Sequence, residues 1–290
     1  MAKARSGNPG DGSRRYFRTI RAVLNGTVRL SPVLAGQLTY QLLGAPRHKE
    51  PEPHELPFLT AARAGKIPLG KSEIQTYHWP GAGPRIVLAH GWDSHSGRWH
   101  ALGERLLAAG YDLYALDAPA HGRSTGNFFS ISRYARSLGA LLKEVEPAAV
   151  IGHSAGGMAA IYYLTQYPKP VMPGGLVIMA TPAELADFVR AFQQALELDE
   201  RVIEGLDAVF RRRLDRPLHY FSISRFARAL QIPGLILHDE ADPVAPVAGA
   251  RRIHRYWEQS ELKIFTGLDH SLRDDAVWET TLDWLAANQL

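Results

Sequence analysis

From residue 71 onward the chain alternates short apolar runs with longer segments in which apolar residues recur every three or four positions. The runs Glu73–Trp79, Ile86–His90, Leu113–Asp117, Ala148–Gly152, Leu176–Ala180, Leu235–Asp239 and Leu262–Phe265 have strand length and predict seven strands. Helical spacing predicts helices over Ser96–Ala109, Ser130–Glu146, Ser154–Tyr167, Pro246–Trp257 and Asp274–Asn288. The second of these carries Ile131, Tyr134, Leu138, Leu141 and Val145 on one face. Apolar strands alternating with helices imply an α/β domain, a mostly parallel central sheet with helices on both faces. Ligands of such sheets bind at the carboxyl ends of the strands. Residues Pro182 to Gln231 break the alternation with about fifty positions of helical pattern, which predicts a small helical cap over that edge. The cluster Arg211-Arg212-Arg213 within it reads as a solvated helix face.

The first seventy residues follow a different pattern. Residues 1–13, rich in Gly, Ser, Asn and Pro, predict an irregular start. From Arg14 the residues Phe17, Ile20, Val23, Leu24 and Val28 recur at helical spacing, with Arg14, Arg18 and Arg21 opposite. A second helix is expected with Ser31 as N-cap, Pro32 at its first position and Gly44 just past its end. Pro and charged residues from Ala45 to Pro57 predict a linker, followed by a short helix near Phe58–Gly65. The expected domains are therefore a basic helical extension and linker over 1–70, then the α/β domain over 71–290 with the insertion at about 182–231.

Charge sharpens this division. Nine Lys/Arg and one Asp in residues 1–49 give +8, and the remaining 24 basic and 28 acidic residues give −4. The body is thus slightly acidic and the front end a basic appendage, and no nucleic-acid partner is expected. Three uses compete for the basic arm Arg14–Leu43. It packs on the body or on a second subunit of a homo-oligomer, or it lies on anionic lipid as a peripheral membrane contact. The third use is a twin-arginine export signal at Ser13-Arg14-Arg15-Tyr16-Phe17, against which Arg21 and Arg29 interrupt the apolar region such a signal needs. No apolar run reaches membrane-spanning length, and a cytoplasmic location is expected. The absence of cysteine excludes disulfides, thiolate metal sites and a cysteine nucleophile.

Candidate chemistry centres on Gly152-His153-Ser154-Ala155-Gly156, where a predicted strand passes into a helix. Glycines two positions to either side allow a sharp turn that leaves the Ser154 hydroxyl exposed above the sheet. The first amides of the following helix, Ala155 N–H foremost, then point at any oxyanion formed there. Three more segments end predicted strands on the same edge: His90-Gly91-Trp92-Asp93, His238-Asp239-Glu240-Ala241-Asp242, and Asp269-His270. The first offers a second amide donor, that of Trp92; the others offer a carboxylate and an imidazole, with Asp239 and Glu240 competing with Asp242. His90, His121 and His153 read as residues that shape the pocket, Asp269 as structural, and His95 and His100 as too isolated for a metal site.

Together with Asp117-Ala118-Pro119-Ala120-His121-Gly122-Arg123-Ser124, these motifs make the chain similar to the α/β-hydrolases of the small, capped serine-esterase type, over about residues 71–290. Ala120 stands where that family usually has glycine. The resemblance implies the α/β-hydrolase fold and the chain order nucleophile Ser154, acid Asp242, base His270. It also favours Asp242 among the three acids, because the acid precedes a turn like Pro243-Val244-Ala245-Pro246. The implied reaction is hydrolysis of a small-molecule carboxylic ester through an acyl-enzyme, with no cofactor and no metal. A serine in the elbow argues against epoxide hydrolase and dehalogenase chemistry, which the resemblance associates with aspartate. Other readings stay open: the same triad acting on thioester, lactone, amide or carbon–carbon bonds, cofactor-free perhydrolysis, or a non-catalytic scaffold whose functional part is the basic arm.

Overall fold

The computed structural model describes residues 11–47 and 50–290. The irregular start expected over 1–10 lies outside them, and helix α1 (Asp11–Leu30) already runs through 11–13. Helix α2 (Pro32–Gly44) follows after Ser31, whose Oγ accepts the Leu34 N–H as the capping pattern requires. Then come α3 (Leu56–Ala61), β1 (Arg63–Leu69), β2 (Ser72–Trp79), β3 (Arg85–Ala89), a 3₁₀ turn at Ser96–Trp99, α4 (His100–Ala108) and β4 (Asp112–Leu116). The chain continues through α5 (Ile131–Val145), β5 (Ala149–His153), α6 (Ala155–Gln166) and β6 (Gly175–Met179). The excursion holds α7 (Leu185–Leu196), α8 (Glu200–Leu214) and the short α9 (Ile223–Phe226). The remaining elements are β7 (Gly234–Asp239), α10 (Val247–Tyr256), β8 (Ser260–Phe265) and α11 (Asp275–Ala287).

The chain divides into two compact units. One joins the N-terminal helices through Leu43 to residues 186–221, and the other holds 44–185 and 222–290. This differs from the expected division at residue 70, and the packing explains why. Leu24, Val28 and Ala35 share a buried cluster with Leu196, Leu198 and Val202. Asn25 joins the α7–α8 corner twice, its Nδ2 donating to Glu197 O and its Oδ1 accepting Asp199 N–H. The backbones of α2 and α8 meet at Gly36 and Gly205, where a Cβ on Gly205 would lie 1.8 Å from Pro32 O. The predicted apolar stripe of α1 is only partly used: Leu24 and Val28 are buried, but Phe17 and Val23 stay exposed. Arg211, Arg212 and Arg213 are exposed as expected, and Arg211 pairs with Asp207 one turn earlier.

The second unit is built on an eight-stranded sheet in the order β1-β2-β4-β3-β5-β6-β7-β8. β1 pairs with β2 and β2 with β4, both antiparallel; β4, β3, β5, β6, β7 and β8 pair in parallel. Strand β1 was not expected, because an edge strand reading Arg-Ala-Gly-Lys-Ile-Pro-Leu buries a single side chain, Ile67. It begins before the expected boundary at 70, and the helix expected over 58–65 ends at Ala61. The central strands are buried on both faces. Ile86, Leu88, Ile151, Val177, Leu235 and Leu237 belong to the core shared with α4 and α11. By the two-residue period of a strand, Val87, Val150 and Ile236 face the other side, where α5, α6, α9 and α10 pack in a row.

Candidate active site

Ser154 follows the last residue of β5 and caps α6 with φ 51° and ψ −115°, a conformation sterically costly for a residue with a Cβ. The surroundings over-determine it. Ser154 N–H donates to Met179 O at the end of β6, and Ser154 O accepts the Met158 N–H. The flanking glycines are required by close backbone approach: a Cβ on Gly156 would lie 2.1 Å from Ala89 O, and one on Gly152 would lie 2.6 Å from Gly157 N.

The loops after β7 and β8 carry the other two groups to this turn. Ser154 Oγ lies 3.0 Å from His270 Nε2, and His270 Nδ1 lies 2.7 Å from Asp242 Oδ2. The Asp242 side chain is buried and His270 is partly accessible. Two amides, Val244 and Ala245, donate to Asp242 Oδ1. Burial alone would raise the Asp242 pKa; the hydrogen bond and charge of His270 and these two amides outweigh it and hold the carboxyl below its ordinary range. An ionised Asp242 keeps the His270 proton on Nδ1 and leaves Nε2 free to accept from the serine hydroxyl.

Of the competing acids, Glu240 is exposed and Asp239 has another task. Asp239 accepts the Ala241 N–H in the acid loop and the Leu268 N–H in the histidine loop, joining the two. Behind Asp242, His238 donates Nε2–H to Ala245 O, and burial lowers its pKa. Asp269 accepts the Ser271 N–H within its own turn.

The loop after β3 closes on the elbow from the other side. A Cβ on Gly91 would lie 3.2 Å from Ser154 Cβ and 2.8 Å from His153 Nδ1, so the backbone carrying Trp92 runs beside the serine. Ala155, first residue of α6, has an amide with no intrahelical partner. Asp93 holds the loop in a left-handed turn at φ 56° and accepts Arg47 through its backbone N–H, Nε and Nη2. His90 donates Nδ1–H to Gly91 O and accepts the Ala118 N–H at Nε2; His121 accepts the Asp93 N–H at Nε2. His90 is buried, and burial with the neighbouring His121 pushes its pKa far down. His153 donates Nε2–H to the carbonyl of His270, and its pKa is pushed far down by burial, then by Arg98 and His270. His90 and His153 therefore act as neutral struts, which a residue pattern alone does not reveal.

Asp117 is a further residue that the motif named without a role. Its carboxylate accepts Ser96 N–H and Oγ–H, Arg123 N–H and the Tyr77 hydroxyl, tying β4 to two loops. Burial and this same carboxylate raise the Tyr77 pKa. Ala120 has φ 65°, the left-handed region that explains a preference for glycine at its position.

The expectation that His100 is isolated is corrected. The approach of α3 to the 3₁₀ turn brings His54 and Glu55 to His100, with ligand-type atoms all within 4.8 Å of one another. Glu55 is already engaged by Glu52 N–H, His95 Nε2 at 3.4 Å and Arg273 Nη2 at 3.5 Å.

Comparison with known proteins agrees with this architecture. A family model described as serine aminopeptidase, S33, matches residues 82–217. A monoacylglycerol lipase of Mycolicibacterium smegmatis is 28% identical over 70% of this chain and 88% of its own. A pimeloyl-[acyl-carrier protein] methyl ester esterase of Chromobacterium violaceum is 31% identical over 47% of this chain and 52% of its own. Among solved structures, a putative lipase from Acinetobacter baumannii superposes with a TM-score of 0.63 at 16% identity, covering 83% of this chain and 98% of that one.

Proposed function

We propose that this chain, a member of the serine-esterase-like α/β-hydrolases, cleaves carboxylic esters through an acyl-enzyme on Ser154. The observation that carries the reading is the continuous series Ser154 Oγ, His270 Nε2, His270 Nδ1, Asp242 Oδ2, at 3.0 and 2.7 Å. In this reading Ser154 Oγ attacks the ester carbonyl while His270 Nε2 takes its proton. The Asp242 carboxylate stabilises the resulting imidazolium. The amides of Ala155 and Trp92 receive the tetrahedral oxyanion. Collapse expels the alcohol, which collects the proton from His270, and a water activated by the same ring then hydrolyses the acyl-enzyme. Thioesters, lactones and peracid formation use the same groups, so a panel of p-nitrophenyl esters, thioesters and lactones assigns the preferred bond. Ser154→Ala should lower ester turnover by roughly 10³ to 10⁶ with folding retained, and should abolish labelling by a fluorophosphonate. A loss of only a few fold would remove Ser154 from the mechanism.

The N-terminal helices support a second reading, that the arm Arg14–Leu43 rests on an anionic membrane surface. Phe17, Val23, Leu30 and Leu34 are exposed, on helices that also expose Arg15, Arg18 and Arg29. No described helix is long and apolar enough to cross a membrane. Co-sedimentation with phosphatidylglycerol vesicles should exceed that with phosphatidylcholine, and should fall with salt and on Phe17→Ser with Leu34→Ser. Equal sedimentation with both lipids would refute it.

A further inference from the structure

A cavity of about 230 Å³ is lined by His54, by residues of α4 and its preceding turn, of β6, and of the segment from Ser271 to Trp278; Ser154, His270 and Asp242 are not among its lining residues. Its volume is below the ~300–1,000 Å³ of pockets that take drug-sized ligands, so an occupant is small. Two guanidinium groups line it. Arg98 is 9% exposed and stacks 4.6 Å over Trp99. Its guanidinium makes one hydrogen bond among the described residues, Nη2 to Ser271 O. A guanidinium has five N–H donors, and none of its other nitrogens is among the buried atoms without a partner, so on the cavity wall they are open to the oxygens of a ligand. Arg273 reaches the one carboxylate nearby, Glu55, at 3.5 Å, and Glu55 is shared with His95. Positive charge at this wall thus exceeds negative. Burial and then Arg273 bring the Arg98 pKa down to about 9, still protonated at neutral pH. The wall also holds two buried nitrogens without a hydrogen-bond partner, Trp99 Nε1 and His100 Nδ1.

We propose that this cavity binds a small organic carboxylate, its head group held by Arg98 and Arg273 and its apolar part against Trp99, Leu102, Met179 and Leu272. A planar carboxylate matches the guanidinium fork and offers charged acceptors to the Arg98 nitrogens that line the cavity. Walls of indole and aliphatic carbon favour a ligand with a hydrocarbon body over inorganic phosphate. The trio His54, Glu55 and His100 has the composition of a cation site, but Glu55 is committed to Arg273 and His95, and two guanidinium groups repel a divalent ion. The ligand site shares its anchor with the histidine loop, since Arg98 donates to the residue that follows His270.

Titration calorimetry of the full chain with sodium hexanoate, and separately with sodium phosphate, tests this. Hexanoate should bind at one site and phosphate more weakly. Arg273→Met should weaken hexanoate by roughly tenfold or more, as loss of a charged hydrogen-bonding partner does. Arg98→Met should do the same; because Arg98 also braces the histidine loop, the half-exposed Arg273 carries the decision should that variant misfold. Hexanoate affinity unchanged by Arg273→Met, phosphate binding as tight as hexanoate, or no hexanoate binding at all would each overturn the proposal. So would hexanoate acting purely by raising KM for an ester equally in wild type and Arg273→Met, which would locate it in the catalytic cleft.

Discussion

Two neutral histidines beneath the site should make the sheet unit sensitive to mild acid. His90 accepts an amide hydrogen at Nε2 and His153 is packed against Gly91 at Nδ1, so a second proton on either ring meets a donor or a wall. Both have folded pKa values pushed far below the ordinary value of about 6.5. The unfolded chain therefore binds more protons below pH 6.5, and the stability these rings confer is complete above that pH and lost as pH falls beneath it. Each histidine contributes about 1.4 kcal/mol per pH unit in that window, so the pair approaches about 3 kcal/mol per unit, a large part of a typical folding free energy of about 5–15 kcal/mol. His238, also lowered by burial, adds in the same direction. Asp242 acts in a separate window: its lowered pKa protects stability above about pH 4 and yields it only below. All six tryptophans lie in the sheet unit, so urea unfolding followed by tryptophan fluorescence at pH 7.5, 6.5 and 5.5 reads that unit alone. His90→Gln and His153→Gln should each flatten the pH dependence by about a third or more, His238 keeping part of the remainder. A dependence unchanged in both variants would refute the strut assignment.

Other expectations test separate links. Asp242→Asn should reduce kcat by roughly 10⁴ while the fold survives, because the amide cannot hold the Nδ1–H tautomer; near-normal turnover would make another carboxylate the partner. Gly156→Ala drives a Cβ to 2.1 Å from Ala89 O, so melting temperature and ester turnover should both fall. Gly205→Ala forces a Cβ to 1.8 Å from Pro32 O and should expose α1 and α2 to limited proteolysis while leaving the sheet unit intact.

Most of the sheet was legible because its central strands are buried on both faces and read as unbroken apolar runs; five predicted helices likewise reappear within a few residues. The elbow was legible for a local reason, since close backbone approach admits only glycine at 152 and 156. β1 was not, because its stability comes from pairing with β2 and not from its own side chains. The grouping of α1 and α2 with α7 and α8 was equally hidden, as helical spacing shows that a face is apolar but not what covers it.

What the amino-acid order alone determined was periodicity, turn chemistry and the presence of an alcohol, an imidazole and a carboxylate in a telling sequence. Those properties are carried by neighbours within a few residues. Tertiary structure decided which acid bonds to His270, why Asp239 joins two loops, that His153 props a carbonyl 117 positions away, and that Arg98 ends up nearly buried on a cavity wall beside Arg273. Each of these depends on desolvation and on contacts between distant segments, and neither exists until the chain has folded.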